Sequence, residues 1–517
     1  MRRPVVFASV IVFIASFCTL VIELVAGRVL APYVGVSLYT WTSIIGVVLA
    51  GISAGAWAGG WLADRRPHGS TLAWLLLASG VAAMLIVPST TILAADEGML
   101  TNLGIATTLL ARVVVLSFLL FFVPSFLLGM ISPVAVKLAV RELDTAGSVV
   151  GRIYAISTLG SIAGTFVTGF WLVARFGTRA TLVGVGVVLI ATALLVGLFG
   201  RVGRAAGALV LAFAAAYALL GPAALAPPEQ EALLPPRESG TIHSEESQYF
   251  TIQVERTIRP DTGGAIHALH LDHLVHSYTD LDDPEYLEYG YLRIFNDVAG
   301  AAMERVQRPR YLFVGGGGYT LPRLLARYHA DVEVVEIDPA VTRVARRFFG
   351  VTRQLPVRTF NEDARAFAMR EHRPYDVIFI DAFNDLSVPY HLTTRESTAS
   401  LARLLRPGGA LVANLVDDYQ NGRFLTSYVK TLESVFGAGH VSVVLEGAED
   451  MRSSRSTFVV VASRTPLQFP DWYVLPQPEL RRAVARPGAI VLTDDYAPVD
   501  NMLAPLFRAR FVDELEE

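Results

Sequence analysis

Residues 311–340 read "YLFVGGGGYTLPRLLARYHADVEVVEIDPA". An apolar run enters four consecutive glycines, a helical stretch follows from Leu321, and a second apolar run ends at Glu336. Glycines let a backbone turn sharply and approach a ligand with no Cβ in the way. An acidic residue that closes the next strand about 20 residues further on can accept both hydroxyl hydrogens of a ribose. The stretch therefore predicts a strand, loop, helix and strand that grip a nucleoside, with Gly315, Gly316, Gly317, Gly318 and Glu336 at the ligand. The same spacing serves nicotinamide cofactors and S-adenosyl ligands, so the loop alone leaves the ligand open.

Working outward, apolar runs alternate with helical stretches: "RYLFVG", "VEVVEI", "YDVIFID" and "GALVANL" as strands, with helices from Leu321, from Ala340, near 397–405 and around 424–436. Such alternation predicts a parallel, doubly wound sheet that binds ligands at the carboxyl ends of its strands. Asp363, followed by Ala364 in "NEDARAF", comes after the strand "PVRTF", where a carboxylate can receive an adenine amino group. Asp381 closes "YDVIFID" and projects a third carboxylate into the same crevice; its bland reading is a helix N-cap. A sulfonium donor beside an amine nucleophile needs negative charge to hold the amine, take its proton and align it. Asp381 is the expected base. Asp385 is an expected amine-binding carboxylate, with Tyr390 and His391 as lid residues, although the segment also reads as an ordinary loop.

The chain has 517 residues, 53% hydrophobic and only 17% charged, with a mean hydropathy of +0.46. Roughly 25% charge is usual for a soluble globular protein, so part of this one is expected in lipid. The net charge of -4 offers no basic field, and nucleic acid is not an expected partner. The single cysteine, Cys18, excludes an internal disulfide framework and a multi-cysteine metal site; no metal is expected. A membrane span needs about 20 mainly apolar residues. About seven stretches qualify, near 5–25, 39–62, 72–93, 113–131, 153–173, 182–198 and 206–225. Small residues crowd the second and fifth, as expected where helix backbones approach closely. Glu23 and Arg28 lie in the first, where ionisable groups either serve function or make structural polar contacts.

After this half, "GPAALAPPEQEALLPPRESG" at 221–240 combines prolines and charge without periodicity and marks a linker. Apolar alternation then begins in "SQYFTIQVERT" and resumes in "AIHALHLDHLVHS", with "RPDTGG" as the turn between two strands. The expected division is a transmembrane domain over 1–227, a linker over 228–244, a β-strand subdomain over 245–300 and a ligand-binding catalytic domain over 301–517.

Taken in order, these motifs resemble spermidine synthases, the aminopropyltransferases that use decarboxylated S-adenosylmethionine. "EESQYFTIQV" is similar to that family's ESxYQxIxV strand, "LHLDHLVHS" to LxLDGxxQ, "FVGGGGYTLPR" in part to the GGGDGG loop, "NEDARAF" to GDAFxF, and "YDVIFIDAFND" to the motif that supplies the catalytic Asp. The helical half resembles that of the family's membrane-fused members. The resemblance implies an α-helical membrane bundle, a β-hairpin subdomain and a Rossmann-like methyltransferase-type α/β domain. It also implies a polyamine or other small amine as acceptor, and a homodimer. Departures from the pattern bear on specificity. Gly318 stands where the family has an Asp implied to contact the aminopropyl end of the donor, and His276 stands where Gln is usual. Asn384 occupies the motif's second Asp position. The tyrosine that meets the amine is Tyr289 or Tyr291, which spacing does not decide. Asp494 and Asp495 in "LTDDYAPVDNM" either replace the missing charge or cap a turn.

Three functions compete on this pocket. The first is a membrane-bound polyamine aminopropyltransferase. The second is an S-adenosylmethionine-dependent methyltransferase, with Gly318 making room for the methionine carboxylate. The third is a non-catalytic polyamine-binding or transport-linked membrane protein. The protein is expected to cross a bacterial-type inner membrane several times. Arg and Lys in short loops, and the likeness of "GGWLADRR" to a cytoplasmic loop of major facilitator transporters, put the N-terminus in the cytoplasm. Seven spans would leave the soluble half outside, whereas S-adenosyl donors are made inside; the cytoplasmic placement is the one adopted.

Overall fold

The computed structural model describes residues 2–34, 38–95, 109–140, 142–197, 240–272, 274–382 and 388–506. The chain divides into two compact units, Met1–Leu234 with Glu246–Phe250, and Pro235–Glu245 with Thr251–Glu517.

The first unit is helical: α1 (Arg2–Val34), α2 (Leu38–Arg65), α3 (Gly69–Ala95), α4 (Leu109–Ser117), α5 (Val123–Ala139), α6 (Ala146–Val167) and α7 (Val173–Val196). Single π-helical turns at Phe118–Phe122 and Thr168–Leu172 join α4 to α5 and α6 to α7. Six stretches are long and apolar enough to cross a bilayer: Pro4–Ala31, Tyr39–Arg65, Gly69–Thr90, Val113–Ala139, Leu143–Leu172 and Arg175–Val196. The expected count of seven is thus six among the described residues, and the candidate at 206–225 lies outside them. Small residues set the helix contacts. A Cβ on Gly55 would strike the Phe126 backbone of α5, and Cβ atoms on Gly160 and Gly164 would strike the carbonyls of Phe13 and Phe17 in α1. Helices that lie in lipid gain no hydrophobic drive to associate, and for them close backbone packing of this kind does much of the holding. Ser16 and Ser157 hydroxyls meet at 2.7 Å across the α1–α6 contact.

The second unit opens with a four-stranded sheet in the order β1-β2-β3-β4: β1 (Gly240–Glu246), β2 (Thr251–Ile258), β3 (Ala265–Leu271) and β4 (Leu274–Thr279). Here one expected strand is two. The alternating run from Ile266 to Val275 folds back on itself at Asp272, whose φ of 56° makes the turn, and β3 pairs antiparallel with β4. Alternation by itself cannot register such a reversal, because both arms keep the same in-and-out period. The first strand also begins at Gly240, inside the stretch expected as linker, and the helix α8 (Gly290–Met303) closes the stretch expected as β-rich.

The larger sheet has eight strands: β5 (Arg310–Val314), β6 (Asp331–Val335), β7 (Val357–Phe360), β8 (Tyr375–Ile380), β9 (Leu405–Asp417), β10 (Val441–Leu445), β11 (Ser456–Ser463) and β12 (Tyr473–Val474). Their order is β12-β10-β11-β9-β8-β5-β6-β7. Strands β5 to β9 are parallel to one another, but β11 joins β9 antiparallel, and β10 and β12 continue with antiparallel pairings. This corrects the expectation of a purely parallel sheet. No helix long enough for a crossover lies between β10 and β11, and a short connection can only return the chain antiparallel. The helices α9 (Thr320–Arg327), α10 (Pro339–Phe348), α11 (Ala364–Ala368), α12 (Arg395–Arg403) and α13 (Phe424–Phe436) make the crossovers. Every residue of β5 and β8 is buried, as central strands covered on both faces require. The α10 start is set locally: Pro339 occupies the first turn and Asp338 Oδ1 accepts the Ala340 N–H at 2.8 Å.

The connection that matters lies at β5. From it the chain moves outward through β6 and β7, then returns to build β8 on the other side of β5. The helices that follow β5 and β8 therefore diverge, and a crevice opens at the carboxyl ends of these two strands.

Candidate active site

Two chain segments meet in that crevice, the glycine loop after β5 and Asp381 after β8. The Asp381 N–H donates to the Val314 carbonyl at 2.8 Å, which draws the two strand ends together. Gly315 has φ of 96°, and a Cβ there would overlap the Asp381 carbonyl oxygen. A glycine is required on both counts. His276, Ser277, Tyr291, the four glycines and Asp381 line one pocket.

Asp381 is held from two sides. Tyr291, near the start of α8, donates its hydroxyl to Oδ2 at 3.1 Å. Asn414 of β9 donates Nδ2 to Oδ1 at 3.0 Å. Burial pushes the Asp381 carboxyl up from its ordinary value, and the two hydrogen bonds pull against that rise. The result is a carboxylate with raised proton affinity and fixed orientation, suited to accepting a proton from a bound amine. The Asn414 Oδ1 atom is buried and has no hydrogen-bond partner among the described residues. An acceptor left open beside a carboxylate can take an N–H from the same amine.

Spacing left Tyr289 and Tyr291 as equals, and the fold separates them. The Tyr291 hydroxyl reaches Asp381, while Tyr289 stacks on Tyr291 with ring centroids 5.7 Å apart and donates its hydroxyl to the Val275 carbonyl at 3.1 Å. Burial holds both phenols above their ordinary pKa, so Tyr291 acts as a hydrogen-bond donor.

Glu336 closes β6 beside the glycine loop. Its Oε2 accepts the Gly316 N–H at 2.7 Å and its Oε1 the Asp338 N–H at 2.9 Å. Burial pushes its carboxyl up to about 6 in spite of these donors. Asp363 behaves differently. Oδ1 caps α11 by accepting from Arg365 N at 2.9 Å and Ala366 N at 3.0 Å, and Oδ2 is hydrogen-bonded to His391 Nε2 at 2.9 Å. Burial works against ionisation here, but the Ala366 N–H and His391 outweigh it and leave the carboxyl below its usual value. Ala364 is buried beneath this cap.

Several expected residues fall elsewhere. Asp494 is in a two-point ion pair with Arg365 and accepts the Thr394 hydroxyl at 2.7 Å, so it ties the C-terminal segment to α11 and is not among the pocket-lining residues. Asp495 is exposed. His391 is Asp363's partner, and Tyr390 is exposed. Asp385 and Asn384 lie outside the described residues. Gly318 lines the pocket, and the space its side chain would need is taken: a Cβ would sit 2.6 Å from Ser277 Oγ and 2.8 Å from Ser277 Cβ. Ser277 in turn hydrogen-bonds Thr320 at 3.0 Å.

Sequence reasoning missed Asn414 and Ser277. The signal for Asn414 was present: it is a polar residue near the carboxyl end of an apolar strand, and the rule that located Asp381 on β8 applies equally to β9. Ser277 had no comparable signal, since only the approach of β4 to the loop gives it a role.

Residues 294–444 match the spermine/spermidine synthase domain family. A polyamine aminopropyltransferase from Vibrio vulnificus is 35% identical over 133 residues, covering 25% of this chain and 44% of that protein. Polyamine aminopropyltransferase 1 of Streptomyces coelicolor is 26% identical over 443 residues, covering 82% of this chain and 78% of that protein. A crystal structure of a probable spermidine synthase from Corynebacterium glutamicum aligns over 50% of this chain and 97% of that one, at 24% identity and a TM-score of 0.43. The chain spans about half the length of two of the curated relatives it matches, 48% of a probable polyamine aminopropyl transferase from Bifidobacterium longum and 44% of the Vibrio vulnificus protein.

Proposed function

With a spermine/spermidine synthase domain in its C-terminal half as premise, we propose that this chain is a membrane-embedded polyamine aminopropyltransferase. A neutral amine nitrogen attacks the aminopropyl carbon attached to the sulfonium of decarboxylated S-adenosylmethionine. The new C–N bond forms as the C–S bond breaks, its electron pair neutralises the sulfur, and the nitrogen's surplus proton passes to Asp381. Products are the extended polyamine and 5′-methylthioadenosine. The observation that carries this reading is Asp381, fixed by Tyr291 and Asn414 at the mouth of a glycine loop. Glu336 would receive the ribose hydroxyls, the Asp363–Ala364 turn would meet the adenine, and His276 would sit on the acceptor side with Tyr291. Asp385 would add carboxylate charge on the acceptor side, whereas Asp494 is engaged by Arg365 and Asp495, next to it, is exposed.

Direction comes from alignment. An amine is a competent nucleophile only when deprotonated, and a carboxylate with raised proton affinity next to an open carbonyl acceptor both orients it and removes its proton. Six candidate spans among the described residues, with 206–225 taken as not crossing, would return the chain to the side on which it began. With the N-terminus placed by its loop arginines, the synthase half is proposed to lie in the cytoplasm, where its donor is made.

One observation favours a second reading. The loop position at 318 carries no charge and is backed by Ser277, so a donor with an intact methionine carboxylate meets no repulsion there, as a methyltransferase would need. Mass spectrometry of amines incubated with the purified protein and either donor separates the two. An added aminopropyl group supports the first reading and an added methyl group the second; no modified amine with either donor defeats both.

Two outcomes follow within this reading. Tyr291→Phe removes a hydroxyl that donates to the Asp381 carboxylate and should lower kcat about tenfold, the scale of a hydrogen bond to a charged group. Losing that donor raises the proton affinity of Asp381 further, so the acid limb of the kcat/KM profile should move to higher pH. Both Glu336 oxygens accept ribose hydroxyls only when the carboxyl is ionised, and burial pushes that ionisation up to about 6. Calorimetric affinity for 5′-methylthioadenosine should therefore rise between about pH 5 and about pH 7. Glu336→Gln should lose both the affinity and its pH dependence; a pH dependence that persists in this variant would assign the titration to another group.

A further inference from the structure

We infer that Ser277 takes the place of the missing loop carboxylate and holds the ammonium of the donor's side chain with an uncharged oxygen, so that the site accepts a zwitterionic 3-amino-3-carboxypropyl chain as readily as a bare aminopropyl chain. The inference rests on the nucleoside-donor site of the reading above and assigns that site a specificity residue.

It starts from a count of protons. Three buried hydroxyls, Ser277 and Thr279 of β4 and Thr320 at the start of α9, meet behind the glycine loop. Thr320 Oγ1 donates to the Tyr278 carbonyl at 3.2 Å and lies 3.0 Å from Ser277 Oγ and 2.7 Å from Thr279 Oγ1. A hydroxyl has one proton and two acceptor positions, so Thr320, its own proton committed, accepts from both neighbours. Ser277 thus gives its proton to Thr320. Its oxygen makes no other hydrogen bond among the described residues and meets a ligand as an acceptor.

Position decides what that acceptor can hold. A Cβ on Gly318 would sit 2.6 Å from Ser277 Oγ, and both residues line the pocket. The serine oxygen therefore stands where a side chain at 318 would begin. The carboxylates around this wall are engaged elsewhere. Asp280, next after β4, pairs with Arg259 at 3.0 Å and accepts the Asp282 and Asp283 N–H groups, Asp381 is held by Tyr291 and Asn414, and Glu336 accepts the Gly316 N–H. Arg323, one turn along α9 from Thr320, adds a buried positive charge with Nη2 on the Asp280 carbonyl at 3.0 Å. An ammonium enclosed without a counter-charge is costly, and a chain that carries its own carboxylate brings the counter-charge with it. The hydrogen bond from ammonium to Ser277 is charge-assisted in either donor. With an aspartate at 318 the two donors would be set apart by repulsion of the chain carboxylate; with Ser277 they are not.

The test is calorimetric binding to the full-length protein in detergent, with three thioethers that undergo no transfer: S-adenosylhomocysteine, its decarboxylated counterpart, and 5′-methylthioadenosine, which carries neither ammonium nor carboxylate. Wild-type protein should bind the first two with Kd values within about threefold of each other. Ser277→Ala should weaken both about tenfold, the scale of a hydrogen bond to a charged group, and leave 5′-methylthioadenosine unchanged. Ser277→Asp should separate the two by about tenfold or more in favour of the decarboxylated compound, because it restores a negative charge to the wall. A wild-type protein that binds the decarboxylated thioether tenfold or more tightly than S-adenosylhomocysteine would overturn the inference. So would a Ser277→Ala loss as large for 5′-methylthioadenosine as for the other two, which makes the serine structural. Should none of the three bind, the nucleoside site fails and the inference with it; these affinities without any transfer to an amine would defeat the function reading alone.

Discussion

Asp381→Asn is expected to lower kcat by about two to four orders of magnitude, the usual contribution of a positioned general base. The amide keeps the shape and can still bond Tyr291 and Asn414, so affinity for 5′-methylthioadenosine should stay within about threefold of wild type. Stability should hold or rise. A buried carboxyl with a raised pKa contributes unfavourably to folding at any pH above its unfolded value, and the neutral amide removes that contribution. Product formation by mass spectrometry, nucleoside binding by calorimetry and thermal unfolding together check the prediction. A parallel loss of binding and fold would make Asp381 a structural residue and remove the base from the mechanism.

Gly315→Ala should be the most damaging single change in the glycine loop. It places a Cβ on a residue with φ of 96° and drives it into the Asp381 carbonyl oxygen. Left-handed strain and a backbone clash together should cost about 3 kcal/mol or more. The strand ends must part to relieve it, so nucleoside binding and turnover should both be lost. Gly317→Ala is the control: its φ is also positive, at 48°, but no atom lies within 4 Å of the added Cβ, and its cost should be about 1 kcal/mol. Thermal unfolding of both variants in the same detergent measures the difference. Equal effects would mean that backbone strain, and not the approach of β8, makes glycine necessary at 315.

Much of this architecture is legible in the order of the residues alone. The glycine run, the carboxylates ending "VEVVEI" and "YDVIFID", and the apolar helices predict a crevice at strand ends and a half with helices long and apolar enough to span a membrane, because strand periodicity, strand-end chemistry and span length are properties of contiguous residues. The reversal at Asp272 and the antiparallel β10 to β12 are less visible, since a short run of alternating or apolar residues fits either direction of the chain. The site is legible in part. Asp381 and Glu336 stand where strand ends put them, but Asp494 is engaged by Arg365, 129 positions away, and no local pattern discloses that.

By itself the sequence determined which residue types could bind a nucleoside and accept a proton, and that the first half would be helical and apolar, for each follows from neighbours along the chain. Only the tertiary structure decided between Tyr289 and Tyr291, brought Asn414 to Asp381 across a strand pair and filled the space beside Gly318 with Ser277. Those three outcomes depend on distances between segments far apart in the chain, which are fixed when β8 pairs with β5 and β9 and when the packed core admits one arrangement of the elements around them.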